Sequence, residues 1–200
     1  MSVLVSRVAV TADAIGRIST LLTYDDLVEW AGEENVARAG AASVAGWQVP
    51  ENQTALLVSI GIPNTNNLIE AAAVQTESAP QLLTRDGKQL YQLTENRHGD
   101  LVPDLLWTFG VEPVTGTVYY VLPDGEAWFA NSSIALWLQS LHHYGRHVSQ
   151  SEILNDPDGD EDEALAELSQ LAAELKQIDP PAFDGYNGFI WAELLDRWLW

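Results

Sequence analysis

The chain of 200 residues contains no cysteine, which excludes a disulfide framework, a thiolate nucleophile and sulfur-ligated zinc or iron–sulfur sites. Histidine and carboxylate are the only side chains left for a metal, and a reducing compartment is indicated. Basic residues are scarce as well: 9 Lys and Arg stand against 29 Asp and Glu, a formal net charge of −20. Binding to phosphate backbones releases counterions only where Lys and Arg replace them, so direct nucleic-acid binding is set aside. Long apolar runs are missing too. No uncharged stretch approaches the roughly 18–20 residues of a membrane-spanning helix. At the start, Arg7, Asp13 and Arg17 interrupt any secretory core. These features point to a soluble cytoplasmic protein with no membrane partner. GxSxG, HExxH, GxxxxGK[ST] and GxGxxG are absent, leaving hydrolase, metalloprotease and nucleotide chemistry without a starting point. The expectation is a protein that is not an enzyme and uses no cofactor.

What is present is material for a core. With 46% hydrophobic and 19% charged residues, the chain carries more apolar surface than a disordered acidic polypeptide could solvate. One domain over 1–200 is expected, with 1–50 as a divergent N-terminal part and 151–200 as an acidic loop plus C-terminal helices packed on a sheet domain.

Local patterns give that core an order. Thr23 can cap a short helix carrying Leu27, Val28, Trp30 and Ala31, with Asp25 and Asp26 at its positive end. The apolar run Thr54 to Ile60, closed by Gly61-Ile62-Pro63, reads as a strand, while Leu68 to Val74 suits helix or strand. From Lys88 the pattern changes to short aromatic and β-branched runs: Leu90–Leu93, Leu105–Phe109, Val118–Leu122 and Ala127–Phe129. Turn residues such as Pro113 with Gly116 and Pro123-Asp124-Gly125 separate them, predicting an antiparallel meander. Asn131-Ser132-Ser133 then caps a helix through Ile134, Trp137, Leu138 and Leu141, with Tyr144-Gly145 as its end signal. A longer helix carries Leu165, Leu168, Leu171, Ala172 and Leu175 up to Pro180-Pro181, and a last one carries Trp191, Leu194, Leu195 and Trp198. Helices flanking a central, mostly antiparallel sheet define the α+β class.

Three features invite a functional reading. His142, His143 and His147 cluster with one i,i+4 pair suited to a metal, but the glycine between them and their place in a last helical turn favour a structural role against the helix dipole. The stretch Asp156-Pro-Asp158-Gly-Asp160-Glu161-Asp162-Glu163, with Glu167, has several calcium-loop oxygens. Glu161 stands where such loops require glycine, so a solvated acidic loop and no metal is the reading adopted. Residues 151–200 hold 13 of the 29 carboxylates against Lys176 and Arg197, which makes the local field steepest there. A basic protein is the natural partner of such a field. Asp156, Asp158, Asp160, Glu161, Asp162 and Glu163 are therefore the candidate contact residues. Trp47 and Trp200, the tryptophans least bound to a helical or strand period, are the candidate aromatic anchors.

The order Gly61-Ile62-Pro63, Phe109-Gly110, Pro113-Val-Thr-Gly116-Thr-Val118-Tyr119, then Trp128-Phe129-Ala-Asn131-Ser132-Ser133 entering a helix, followed by Asp179-Pro180 and a tryptophan-bearing last helix, resembles the fourth group of the SUKH superfamily, whose members are bacterial immunity proteins. The resemblance spans roughly Thr54 to Trp200; the Ala/Gly-rich stretch Ala37 to Gly46 lies outside it. It implies an α+β fold with a central sheet and a role in neutralising a polymorphic toxin, typically a nuclease or nucleic-acid deaminase and often basic. An intracellular regulatory or adaptor module of the same fold is the alternative. The shared motifs are mostly structural, being turn glycines, a capping asparagine and core aromatics, and do not constitute a known toxin-binding site.

Overall fold

The structure is a computed structural model that describes residues 22–65, 68–74, 81–95, 107–155, 161–184 and 190–196. Helix α1 (Tyr24–Ala31) starts as its sequence predicts. Thr23 Oγ1 accepts the Asp26 N–H at 3.2 Å while Asp26 Oδ2 accepts the Thr23 N–H at 2.8 Å, so two backbone donors of the first turn are satisfied reciprocally. Strand β1 (Val36–Ala37) pairs antiparallel with β2 (Ile62–Pro63). Between them lie α2 (Ala41–Val44) and α3 (Glu51–Ser59).

Helix α3 corrects the strand expected over Thr54 to Ile60. A short apolar run is periodic in neither sense, and tertiary burial decides. Thr54, Leu57 and Ile60, three apart, are the buried positions, and Pro50 at the N-cap is preset for helix entry. The ambiguous segment that follows becomes a Thr65–Ile69 bridge and the two-residue β3 (Ala71–Ala72), which pairs with β6 (Thr94–Glu95).

The main sheet has five antiparallel strands in the order β4 (Gln81–Leu83), β5 (Gln89–Gln92), β7 (Thr108–Val111), β8 (Val118–Val121), β9 (Ala127–Asn131). The last four are the expected meander; β4 is an addition. Leu105 and Leu106 lie outside the described residues. Register places Phe109 opposite Tyr120 and Tyr120 opposite Trp128, so one sheet face carries an aromatic row. Trp137 packs on it from α4 (Ile134–Gln150), its ring centroid 5.2 Å from that of Phe109.

Ser133 caps α4 by accepting the Leu136 N–H at 3.2 Å. The helix does not end at Tyr144-Gly145 but runs to Gln150. Gly145 sits inside it because a Cβ there would collide with the Trp30 indole, so the glycine lets α1 approach α4. That contact offsets the roughly 1 kcal/mol that glycine costs in a helix interior.

Chain then continues through α5 (Glu152–Asn155), α6 (Glu161–Ile178), a 3-10 turn at Pro180–Phe183 and α7 (Ile190–Asp196). In α6 the buried positions are Ala164, Leu168, Leu171 and Leu175, whereas Leu165, expected on that face, is exposed. In α7, Ile190, Trp191 and Leu195 are buried; Trp198 lies outside the described residues. One apolar cluster joins Val118 of the sheet, Trp137 and Leu141 of α4, Leu171 of α6 and Trp191 of α7. Leu27, Val36 and Ile60 form a smaller cluster under α1.

Candidate interaction surface

Helix α4 is flanked by α1 and α6, and polar contacts place them on different stripes of its surface. Toward α1, His142 Nδ1 accepts the Trp30 Nε1–H at 3.1 Å. Toward α6, His143 Nε2 lies 2.6 Å from Glu174 Oε2, and His147 Nε2 lies 2.8 Å from Glu167 Oε1. The histidines thus face two different helices and do not converge. Among the described residues no three histidine or carboxylate side chains gather as metal ligands would.

Burial holds the His142 imidazole below its ordinary pKa, with Arg146 and His143 adding to the depression and Asp26 and Glu29 opposing it. Neutral His142 is therefore the form that accepts the tryptophan proton. Glu174 is held below the usual carboxylate range by hydrogen bonds from Gln170 and then His143, and Asp26 by its bonds to Thr23.

These contacts leave a large excess of negative charge. Helices α1, α4 and α6 together carry Asp25, Asp26, Glu29, Glu161, Asp162, Glu163, Glu167 and Glu174 against Arg146 and Lys176 alone. Glu161, Asp162 and Glu163 are exposed in the first turn of α6, where the helix dipole favours carboxylates. Asp156, Asp158, Asp160 and Trp200 lie outside the described residues. Trp47 is not a surface anchor: it is 9% exposed and stacks on Tyr91 with ring centroids 4.6 Å apart. Burial of a large aromatic against a sheet outweighs its suitability for a partner. The large apolar side chains left exposed among the described residues are Leu83, Val114 and Leu165, none of which sequence singled out for contact.

A second polar feature is internal. Asp179, just beyond α6, is 1% exposed. Its carboxylate accepts the Ser132 N–H at 2.7 Å, the Ser132 hydroxyl at 2.8 Å and the Asn131 amide at 3.0 Å. Asn131 Oδ1 in turn accepts the Trp191 Nε1–H at 3.0 Å. A single network joins the end of β9, the start of α4, the turn after α6 and α7. The Asn-Ser-Ser, Asp-Pro and tryptophan motifs, far apart in sequence, are thereby partners in one structural joint.

Sheet, joint and acidic helical layer together define an α+β scaffold with a strongly negative helical side. The family model described as SUKH-4 immunity protein matches residues 22–197 of this chain, and the protein belongs to that family. The match begins well ahead of the Thr54 expected from the resemblance, so α1 and the β1–β2 pair fall within the matched region. No match was found among curated proteins or among solved structures. No helix among the described residues is long and apolar enough to cross a membrane.

Proposed function

We propose that this protein neutralises a polymorphic toxin by stoichiometric binding, without catalysis, in the cytoplasm. Membership of the immunity family over 22–197 carries this reading. The toxin is a basic domain, a nuclease or nucleic-acid deaminase, since enzymes that act on nucleic acid carry cationic surfaces for its polyanionic backbone, and a chain of net charge −20 complements such a surface. The acidic run Asp156 to Glu163 and the α6 carboxylates beside it draw the toxin in and orient it; occlusion of the toxin's site then stops its activity.

Two measurements test this. Tagged protein is used as bait against lysates of the source cell and its kin at low and high salt. A basic toxin domain released by salt supports the proposal, whereas reproducible capture of an endogenous regulator with no toxin moves the protein to the adaptor class. With that toxin in hand, the triple variant E161K/D162K/E163K is expected to keep its fold, to associate at least tenfold more slowly at low salt, and to show a flatter salt dependence. Unchanged association kinetics would remove this tract from the mechanism.

A further inference from the structure

The hairpin joining β7 to β8 carries a strained backbone conformation at its tip. Val114 has φ 70°, the one positive value at a non-glycine position among the described residues. The Thr115 N–H donates to Pro113 O at 2.8 Å, closing a three-residue turn around Val114. Three-residue turns with positive φ are rare and strained, and a β-branched side chain is the residue type least suited to one. Glycine would adopt this backbone freely. Yet valine occupies the position and is 74% exposed, so burial repays none of the strain.

The surroundings hold the tip in place. The Val114 N–H donates to Gln48 O at 2.5 Å, and the Gln48 N–H donates to the hydroxyl of Tyr91, the ring on which Trp47 stacks. Below the tip, Gly116 rests on the Gln53 side chain, where a Cβ would collide, and Gln53 Oε1 accepts the Ile134 N–H that opens α4. The Thr115 hydroxyl donates to Glu112 Oε2 at 2.7 Å. Strain that its surroundings over-determine marks functional positions, and a rigid, convex apolar point loses little freedom when it enters a pocket.

We infer that Val114 is the short-range anchor of the toxin complex, seated in an apolar pocket of a cationic protein domain. This rests on the toxin-binding reading above and gives it a location. A convex tip cannot enclose a small molecule, so the pocket belongs to the partner. Charge selects the partner's sign: exposed Glu51 opens α3 beside Gln53, and the nearby Lys88 is outnumbered by its own partners Glu112 at 3.9 Å and Asp86 at 4.0 Å, so the surroundings of the tip are net negative. The hairpin lies at the N-terminal end of α4, whereas Glu161, Asp162 and Glu163 open α6, whose Glu167 pairs with His147 in the C-terminal half of α4. Steering and anchoring are thus separate functions of separate ends.

The test is contact competition. A strain lacking this gene is complemented with wild type, Val114→Gly, Val114→Ile or empty vector, at matched protein levels, and grown against the toxin-delivering parent. Val114→Gly relieves the strain and is expected to melt no lower than wild type, yet to leave at least tenfold fewer survivors; Val114→Ile, which keeps the apolar point, is expected to protect. Full protection by a well-folded Val114→Gly protein would overturn the anchor while leaving the toxin reading intact. If empty vector survived as well as wild type, the toxin reading itself would fall and the anchor with it.

Discussion

At His142 one nitrogen links protonation to packing. The group's folded pKa lies below its unfolded value of about 6.5, so as pH falls the unfolded chain takes up the proton first. The stabilisation it brings is complete above about pH 6.5 and is lost as pH drops through the folded value, when Nδ1 can no longer accept from Trp30. The melting temperature is therefore expected to decline from pH 7 toward pH 5. In His142→Asn, whose side-chain oxygen can accept the same bond without titrating, that part of the profile should flatten. An identical slope in both proteins would show that other groups set it. The same residues show how far sequence reading reaches. The histidines pair with Trp30, Glu174 and Glu167, residues 20 to over 100 positions away, which no local pattern encodes.

Among the elements, the joint around Asp179 is where β9, α4, the turn after α6 and α7 become one unit. Each of its three donors meets a carboxylate oxygen in a buried place. Asp179→Asn keeps the volume but turns a donor toward donors, and hydrogen bonds to a charged group contribute about 1.5–3 kcal/mol. A loss of that order is expected in urea unfolding followed by tryptophan fluorescence; a loss below about 0.5 kcal/mol would mean that the network is not a stabilising tie. Element boundaries were legible where a cap or a turn is local. Thr23 with Asp26 starts α1, Ser133 starts α4, and the four aromatic runs appear as β5, β7, β8 and β9. They were illegible at α3 and Gly145, because the apolar run of α3 takes its period from what buries it, and the glycine of α4 answers to Trp30 rather than to a helix end.

For the whole molecule, 29 carboxylates against 9 bases make self-repulsion a standing cost of the compact state. Raising ionic strength from 0.01 M to 1 M shortens the Debye length from about 30 Å to about 3 Å and screens that repulsion. The melting temperature is expected to rise with sodium chloride over this range, while binding to the proposed basic toxin is expected to weaken. Salt would thus move stability and affinity in opposite directions. A melting temperature that falls with salt would show that local ion pairs such as Arg85–Asp124, 2.6 Å apart, outweigh the net charge.

The sign and size of the field, the α+β class, the capped helix starts and the aromatic meander are readable from the amino-acid order, because charge is additive and caps, turns and strand periods act over a few residues. The family resemblance was carried by motifs whose common purpose was hidden: Asn131, Ser132, Asp179 and Trp191 form one joint only once the chain has folded. Tertiary structure alone decided which aromatics are buried and which apolar group is presented. Trp47, whose side chain suits an anchor, is covered by Tyr91, while Val114, hydrogen-bonded to the adjacent Gln48, stands exposed. Exposure and strain are properties of the assembled fold, set by contacts between residues such as Gln48 and Val114 that are remote in sequence.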